Sequence, residues 1–226
     1  MAHGKKYREA LKKYDPEQSY DLQKAVDIVK NVKFAGFDET VEVHVSLKLS
    51  KSQSVRDTVV LPHQFRGEKR ILVFCKEDRV KEALDAGAAY AGGDEYIEKV
   101  KGGWLDFDVA VATPDMMKDV GRLGMVLGRR GLMPNPKTGT VSADIRGAVN
   151  ELKKGRVEFR ADKTGVIHLA VGKVSMDSEK IVENISTFLG EMMRKKPQDA
   201  KADFVRSVSV NSTMGPGVWV SYRAGE

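Results

Sequence analysis

Short polar side chains occupy every second position in two apolar segments of this 226-residue chain. They are Thr40, Glu42 and His44 in the first segment and Ser207, Ser209 and Asn211 in the second, while His168 lies in a third such segment. A period of two puts side chains of one parity on one face of a β-strand. Solvated faces usually carry long charged side chains, whereas these short groups combine donors and acceptors of hydrogen bonds. Such a face suits the hydroxyls and base edges in the shallow minor groove of A-form RNA. A merely solvated face is the alternative.

Two predicted turns flank these strands. They are Asp162-Lys163-Thr164-Gly165 and Thr213-Met214-Gly215-Pro216-Gly217. Glycine allows a backbone to approach another surface closely, and Met214 could pack against a sugar or a base. Simple turn chemistry is sufficient for the first segment, but the second contains more glycine than a turn requires.

A loop rich in glycine and positive charge is a second candidate site. It contains Gly128-Arg129-Arg130-Gly131 and Asn135-Pro136-Lys137-Thr138-Gly139. Clustered charge and exposed amides could hold phosphate groups. A solvated or domain-facing loop is an equal alternative, because the chain has no Walker lysine motif and no Gly-x-Gly-x-x-Gly after a strand.

Catalysis would require a different use of the same residues. Glu42, His44, Asp162 and His168 could meet as acid and base. However, the four histidines show no metal-binding spacing, and no Gly-x-Ser-x-Gly elbow is present. The single cysteine, Cys75, lies in an apolar run that is typical of a core strand. The sequence therefore predicts a protein that is not an enzyme and has no metal or cofactor.

The composition excludes several classes of protein. Lys and Arg number 38 against 32 Asp and Glu, so the formal charge is +6, and no block of like charge is present. This excess permits an acidic partner but does not identify one. No apolar run approaches the ~20 residues of a membrane span, the N-terminus lacks a secretory apolar region, and one cysteine cannot form an internal disulfide. A cytoplasmic protein without a membrane partner is expected.

The elements that must position these residues show two different hydropathy patterns. Near both ends of the chain, period-two strands combine with amphipathic helices, as at 41–49 and 177–196. The segment 55–61 is predicted to neighbour the first strand. The Asp162–Gly165 turn is predicted to close a hairpin between 156–161 and 166–171.

The middle of the chain alternates apolar strands with helices. The runs 71–75 and 108–112 are typical of parallel strands that are covered on both faces. The segment 121–140 is predicted as an ordered loop, and 144–154 as a closing helix.

The predicted fold class is α+β together with α/β. Residues 1–66 plus 157–226 would form a split two-layer α+β domain, with an antiparallel sheet and two helices on one face. Residues 67–156 would form an inserted three-layer Rossmann-like α/β domain. Two chain crossings at one place predict a hinge.

Several segments together resemble the L-one family of large-subunit ribosomal proteins, in its bacterial type. They are Phe37-Asp-Glu-Thr-Val-Glu-Val-His44, Gly124-Met-Val-Leu-Gly-Arg-Arg-Gly-Leu-Met-Pro-Asn-Pro-Lys-Thr-Gly139, Asp162-Lys-Thr-Gly165 followed by Ile167-His168, and Thr213-Met-Gly-Pro-Gly217. The likeness runs over essentially the whole chain in the same order.

The resemblance implies binding to a structured site in large-subunit (23S-type) ribosomal RNA. There the family forms the mobile stalk near the tRNA exit site, contacts exit-site tRNA transiently and assists release of deacylated tRNA. Many members also repress translation by binding a mimic of that site on their own operon mRNA. We expect such a protein to be a monomer when free.

The family's RNA contacts can be carried over to this sequence by position. They would be Phe37, Thr40, Glu42, Asp162, Lys163, Thr164, Gly165, His168, Ser207, Thr213, Met214, Gly215 and Gly217. Family members often carry lysine before the phenylalanine, and here that position is Gly36. Arg129, Arg130 and Lys137 would make a secondary contact with RNA or tRNA.

The sequence therefore predicts a non-catalytic ribosomal RNA-binding protein. Two alternatives remain open at this point. One is an enzyme or nucleotide-binding protein that uses the Rossmann-like insert. The other is a repressor or protein-interaction module without a ribosomal role.

Overall fold

The computed structural model describes residues 4–49, 55–67, 69–196 and 204–222. The chain divides into two compact units. The split unit joins Met1–Phe65 to Val157–Glu226, and the insert unit is the intervening segment Arg66–Arg156. Helices and sheets occur in both units, so the predicted mixture of α+β and α/β structure is confirmed.

The elements follow one another along the described chain as follows. The strands are β1 (Ser19–Tyr20), β2 (Thr40–Leu47), β3 (Arg56–Val60), β4 (Ile71–Phe74), β5 (Tyr90–Gly92), β6 (Val109–Ala112), β7 (Arg156–Arg160), β8 (Val166–Lys173), β9 (Val205–Ser212) and β10 (Val218–Val220). The helices are α1 (Lys5–Leu11), α2 (Leu22–Val32), α3 (Val80–Asp85), α4 (Asp94–Lys101), α5 (Met117–Val120), α6 (Gly124–Arg129), α7 (Ile145–Lys153) and α8 (Ser178–Arg194). Across the described ranges, no helix combines the length and apolar character that a bilayer crossing requires.

The main sheet of the split unit has the strand order β1-β10-β9-β2-β8 among the described residues. Its neighbours pair antiparallel except β1 and β10, which run parallel with Ser19 opposite Trp219. Strand β1 is absent from the sequence prediction, because two residues are too short to show a period.

One face of this sheet is buried under helices. Val41, Val43, Val45 and Leu47 of β2 are all buried, and the residues between them are only half-buried. They share a core cluster with the apolar stripes of α2 and α8. Burial of each such side chain contributes about 1.5–3 kcal/mol, so a one-residue slip that exposed the valines would be strongly unfavourable. The polar residues of the pattern therefore lie on the opposite face.

One predicted strand pairing in the split unit is wrong, and another is shorter than predicted. Strand β3 does not neighbour β2 but pairs with β7 in a separate two-stranded sheet, because β8 and β9 already occupy both edges of β2. The predicted hairpin between β7 and β8 is reduced to one bridge, Ala161 to Ile167, since β8 pairs with β2 along its length. The Asp162–Gly165 turn therefore connects two sheets.

The insert unit contains a parallel sheet with the order β5-β4-β6. All four residues of β4 are buried, as predicted for a strand covered on both faces. Ile71 and Val73 belong to one core cluster, whereas Leu72 and Phe74 belong to another. The sheet therefore separates two apolar layers.

One local prediction in the insert unit is wrong. The predicted loop 121–140 includes helix α6, in which Leu127 is buried four residues after the buried Leu123. Residues 90–92 form β5, which pairs with β4 along the sheet edge and leads directly into α4. The predicted closing helix is confirmed as α7, and its cap is Asp144, whose Oδ1 accepts a hydrogen bond from Gly147 N at 2.9 Å.

Candidate nucleic-acid interface

The polar side chains of β2, β8 and β9 lie together on the face opposite the helices. We define the polar face by Glu42, His44, Ser46, His168, Ser207, Ser209 and Asn211. Across the sheet, Glu42 is opposite Asn211, and Ser46 is opposite Ser207. His44 stands between Ser209 on one neighbouring strand and His168 on the other. The tertiary structure thus brings together residues that are more than 120 positions apart in the chain.

Two histidines at the centre of the polar face hold each other in place. His44 Nδ1 lies 2.7 Å from His168 Nδ1, and His44 Nε2 lies 2.5 Å from Asn211 Oδ1. Asn211 Nδ2 donates to Ser212 O at 3.0 Å, which orients the amide so that Oδ1 faces the imidazole. His44 then donates from Nε2 and accepts at Nδ1 from His168. His168 Nε2 lies 3.9 Å from Asp162 Oδ2. Direct hydrogen bonds therefore link side chains of all three strands of the polar face.

Glu39, which immediately precedes β2, ties two loops together at one end of the polar face. Its side chain is fully buried and accepts hydrogen bonds from Ser212 Oγ at 2.6 Å and from the N–H groups of Ala35, Met214 and Phe34 at 3.0, 3.1 and 3.3 Å. Burial alone would raise the pKa of this carboxyl group. The hydrogen bonds outweigh that effect, so the pKa is lowered and the group stays ionised.

Thr213 and Thr40, both predicted RNA contacts, bind each other. Thr213 Oγ1 accepts from Thr40 N at 2.9 Å and donates to Thr40 O at 3.3 Å. Lys173 Nζ donates to Thr40 Oγ1 at 2.8 Å and to Asp38 O at 3.3 Å. The Thr213 hydroxyl is thus used to hold its turn against the start of β2.

Two apolar side chains project from the loops that Glu39 joins. Phe37 is 55% exposed and Met214 is 51% exposed. Gly215 follows Met214, and a Cβ there would lie 2.5 Å from Ser212 Oγ, which donates its hydrogen bond to Glu39. Gly217 is exposed and has open space at its α-carbon, so the turn offers accessible backbone there.

The carboxylate of Asp162 organises the turn between β7 and β8. It accepts hydrogen bonds from Thr164 Oγ1 at 2.7 Å and from the N–H groups of Thr164 and Val166, both at 2.8 Å. The Thr164 hydroxyl and the Val166 N–H, with His168 nearby, lower the pKa of Asp162 to about 2. Asp162 and Thr164 therefore satisfy each other and shape the turn.

The same turn depends on a glycine at its end. Gly165 has φ +83°, and a Cβ there would lie 3.0 Å from Leu47 O. Leu47 N donates to Gly165 O at 2.8 Å, which attaches the turn to the end of β2. Lys163 is exposed at the tip of the turn, where its ammonium group can reach a phosphate.

The basic loop belongs to the insert unit. Arg129 is the last residue of α6 and Arg130 follows it, and both are exposed. The loop is ordered by its own hydrogen bonds, such as Thr138 Oγ1 to Asn135 O at 3.0 Å. Lys137 lies in the short 3-10 turn Pro136–Thr138, and its side chain is outside the described part of the structure.

The residues of the polar face and its turns lie within the span of a known protein family. A model of the Ribosomal protein L1p/L10e family matches residues 29–216, which contain the whole polar face and both turns except for Gly217. The chain belongs to this family. The resemblance seen in the sequence is thereby confirmed.

Individual members of the ribosomal protein L1p/L10e family are similar over the full chain. Large ribosomal subunit protein uL1 of Treponema denticola is 78% identical over 226 residues, which is the whole of both chains. The protein of the same name from Treponema pallidum is 72% identical, also over the whole of both chains. That of Borrelia hermsii is 56% identical over 219 residues, which cover 97% of this chain and 98% of the relative.

Membership of this family decides between the alternatives. The chain is a structural ribosomal protein and not an enzyme. The expected cytoplasmic location agrees with that assignment. In the described ranges, no group of three or more His, Cys, Asp and Glu side chains is placed to hold a metal ion.

Two residues of the site are absent from the sequence prediction. Trp219 on β10 is 44% exposed, while Val218 and Val220 on either side of it are buried. This alternation could have placed Trp219 on the polar side of the sheet. Glu39 carries no such signal, because an acid before a strand is typical of an exposed turn. Two of its four donors, Ser212 Oγ and Met214 N–H, come from the distant end of β9 and the turn after it.

Proposed function

We propose that this ribosomal protein is a structural constituent of the large ribosomal subunit and binds folded 23S-type RNA through the polar face. The relatives from Treponema and Borrelia are named as large ribosomal subunit proteins, which supports the assignment to that subunit. The side chains of the polar face supply the recognition chemistry.

The observation that carries this proposal is the register of short polar groups across three strands. His44 lies between Ser209 and His168, with the Glu42–Asn211 and Ser46–Ser207 pairs on either side. Short hydroxyl and amide groups leave room for a ribose edge to approach the sheet. A-form RNA presents its 2′-hydroxyls and base edges on a wide, shallow groove, so a broad and nearly flat surface fits it.

The loops at the ends of the strands would complete the contact. Phe37 and Met214 are exposed on the loops that Glu39 joins at one end of the polar face, and they would pack on sugars or bases. Glu42 would accept a hydrogen bond from a 2′-hydroxyl or a base amine, because a carboxylate is repelled by phosphate. Lys163 would pair with a phosphate, while Asp162, Thr164 and Gly165 keep the turn in shape.

The finer function is proposed from the family resemblance. The bound RNA would form the mobile stalk near the tRNA exit site, where the protein assists release of deacylated tRNA and Arg129, Arg130 and Lys137 make a transient contact. The same polar face would bind a mimic of the RNA site on the protein's own operon mRNA and so repress translation. One binding face can serve both RNAs, and the free protein would be a monomer.

A filter-binding titration over a series of salt concentrations tests the central proposal. It compares the folded exit-stalk rRNA fragment with a plain duplex of equal length. We expect tight binding to the fragment that survives moderate salt, since shape and hydroxyl recognition depends less on salt than phosphate contacts do. Equal and steeply salt-sensitive binding to both RNAs would reject recognition by the polar face.

A matched pair of variants locates the surface. Ser209→Glu adds a negative charge and bulk to the polar face, whereas Ser186→Glu makes the same change on the exposed side of α8. We expect only Ser209→Glu to abolish fragment binding, with both variants folded by circular dichroism. Equal affinities for the two folded variants would place the RNA elsewhere.

A further inference from the structure

One cross-strand row of the main sheet ends in a large aromatic residue. The row runs from His168 on β8 through His44 on β2 and Ser209 on β9 to Trp219 on β10. Trp219 therefore continues the polar face on a further strand.

The Trp219 ring stands beside short neighbours. Its cross-strand partners are Ser209 and Ser19, and its side chain remains 44% exposed. In contrast, Trp104 of the insert unit is half-buried and packs against Tyr90 and Phe107, with ring centroids 4.9 and 5.6 Å apart. The described ring contacts of the split unit, such as Tyr14 with Tyr20 and Phe159 with Phe188, do not involve Trp219.

The exposed apolar residues of the split unit are not scattered evenly. Phe37 and Met214 lie on the two loops that Glu39 joins at one end of the polar face, and Trp219 is opposite Ser209. In contrast, Val60 lies on β3 of the separate two-stranded sheet. A single exposed apolar side chain is ordinary. Three exposed apolar side chains around one polar surface suit a partner that has both hydrogen-bonding edges and flat apolar faces. A nucleobase has this combination.

We propose that Trp219 stacks on an exposed base of the RNA that occupies the polar face. This inference rests on the proposed function, because RNA seated over His44 and Ser209 reaches Trp219 along the same row. Bases inside an A-form helix are covered by their neighbours, so the stacked base is an unpaired one in a loop or bulge. Trp219 then adds affinity for folded RNA over a plain duplex.

The two tryptophans of the chain allow a direct test. In a Trp104→Phe protein, Trp219 is the sole tryptophan and its fluorescence reports on its own surroundings. Titration with the folded rRNA fragment should quench this emission in parallel with filter binding and should protect the ring from acrylamide. Plain duplex should do neither. Filter binding by the fragment with unchanged emission and unchanged acrylamide access would overturn the stacking and leave the proposed function intact.

Affinity measurements on matched variants give a second test. Trp219→Ser should weaken fragment binding about tenfold, the lower part of the range for aromatic–base stacking, and Trp219→Phe should lose less because it keeps a ring. Val60→Ser is the control, since Val60 is also 44% exposed but lies on the other sheet. Equal affinity of folded Trp219→Ser and Val60→Ser would reject the contact. Failure of the parent protein to bind the fragment would overturn both proposals. Quenching of the Trp219 emission that depends on protein concentration in the absence of RNA would overturn the base contact, because it would assign Trp219 to an interface with a second copy of the chain.

Discussion

The Thr213 hydroxyl binds both backbone groups of Thr40, accepting from its N–H at 2.9 Å and donating to its carbonyl at 3.3 Å. These residues are 173 positions apart, yet they join the turn after β9 to the start of β2. Residues that sequence reasoning treats as separate RNA contacts are thus one structural unit. Their effect on RNA binding should therefore be inseparable from their effect on local stability.

Replacing Thr213 should reveal this double role. Thr213→Val removes both hydrogen bonds at similar volume, so we expect the free energy of unfolding to fall by about 1–2 kcal/mol and RNA binding to weaken. Thr213→Ser keeps the hydroxyl and should retain most of the stability and most of the RNA affinity. Urea denaturation and filter binding measure the two effects. A Thr213→Val protein with unaltered stability but weaker binding would show that the hydroxyl contacts RNA instead.

Glu39 should make stability depend on pH in the acid range. Its pKa is lowered in the folded protein relative to about 4.3 in the unfolded chain, so its contribution is present above that value. The contribution is lost as pH falls through the folded pKa. Glu39→Gln should lower the free energy of unfolding by about 1–3 kcal/mol at neutral pH, because the amide cannot accept all four hydrogen bonds.

The difference in free energy of unfolding between the parent protein and Glu39→Gln should become smaller as the pH is lowered. Unfolding measured at about pH 7 and about pH 3 tests this, with Glu42→Gln on the partly exposed polar face as the control. A difference that stays constant over this range would mean that ionised Glu39 does not hold the loops.

Gly165 should tolerate no side chain. Alanine would be strained at this position, because the backbone φ is +83° and the added Cβ would lie only 3.0 Å from the Leu47 carbonyl oxygen. Gly165→Ala should lower the free energy of unfolding by about 1–2 kcal/mol or more. Gly36→Ala has open space and should change stability little. Equal thermal stability of the two variants would contradict the strain at Gly165.

Lys163 should contribute to RNA binding mainly through its positive charge. Because it is exposed at the tip of its turn, Lys163→Ala should weaken RNA binding and make the slope of log affinity against log salt less steep by about one. The exposed Lys81 on α3 of the insert unit provides the control substitution to alanine. If both variants keep the parent slope, Lys163 makes no phosphate contact.

Elements with a strong periodicity could be predicted from the amino-acid sequence without any structure. The alternation of Val41 to Leu47 identified β2 and the side of it that is polar, and the apolar run at Ile71–Phe74 identified a strand covered on both faces. These properties follow from the period and the apolar character of contiguous side chains, which are local. The family motifs likewise reside in contiguous segments, so the ribosomal assignment required no structure.

The contacts between distant segments emerged only from the folded chain. Strand β3 pairs with β7, and Thr213 binds Thr40. Buried Glu39 accepts hydrogen bonds from Ser212 Oγ and Met214 N–H, and Trp219 lies in the row of His44. All of these contacts join residues far apart in the chain. Such contacts depend on which strand edges remain free and which backbone groups still need partners. Those conditions arise only when the whole chain is folded.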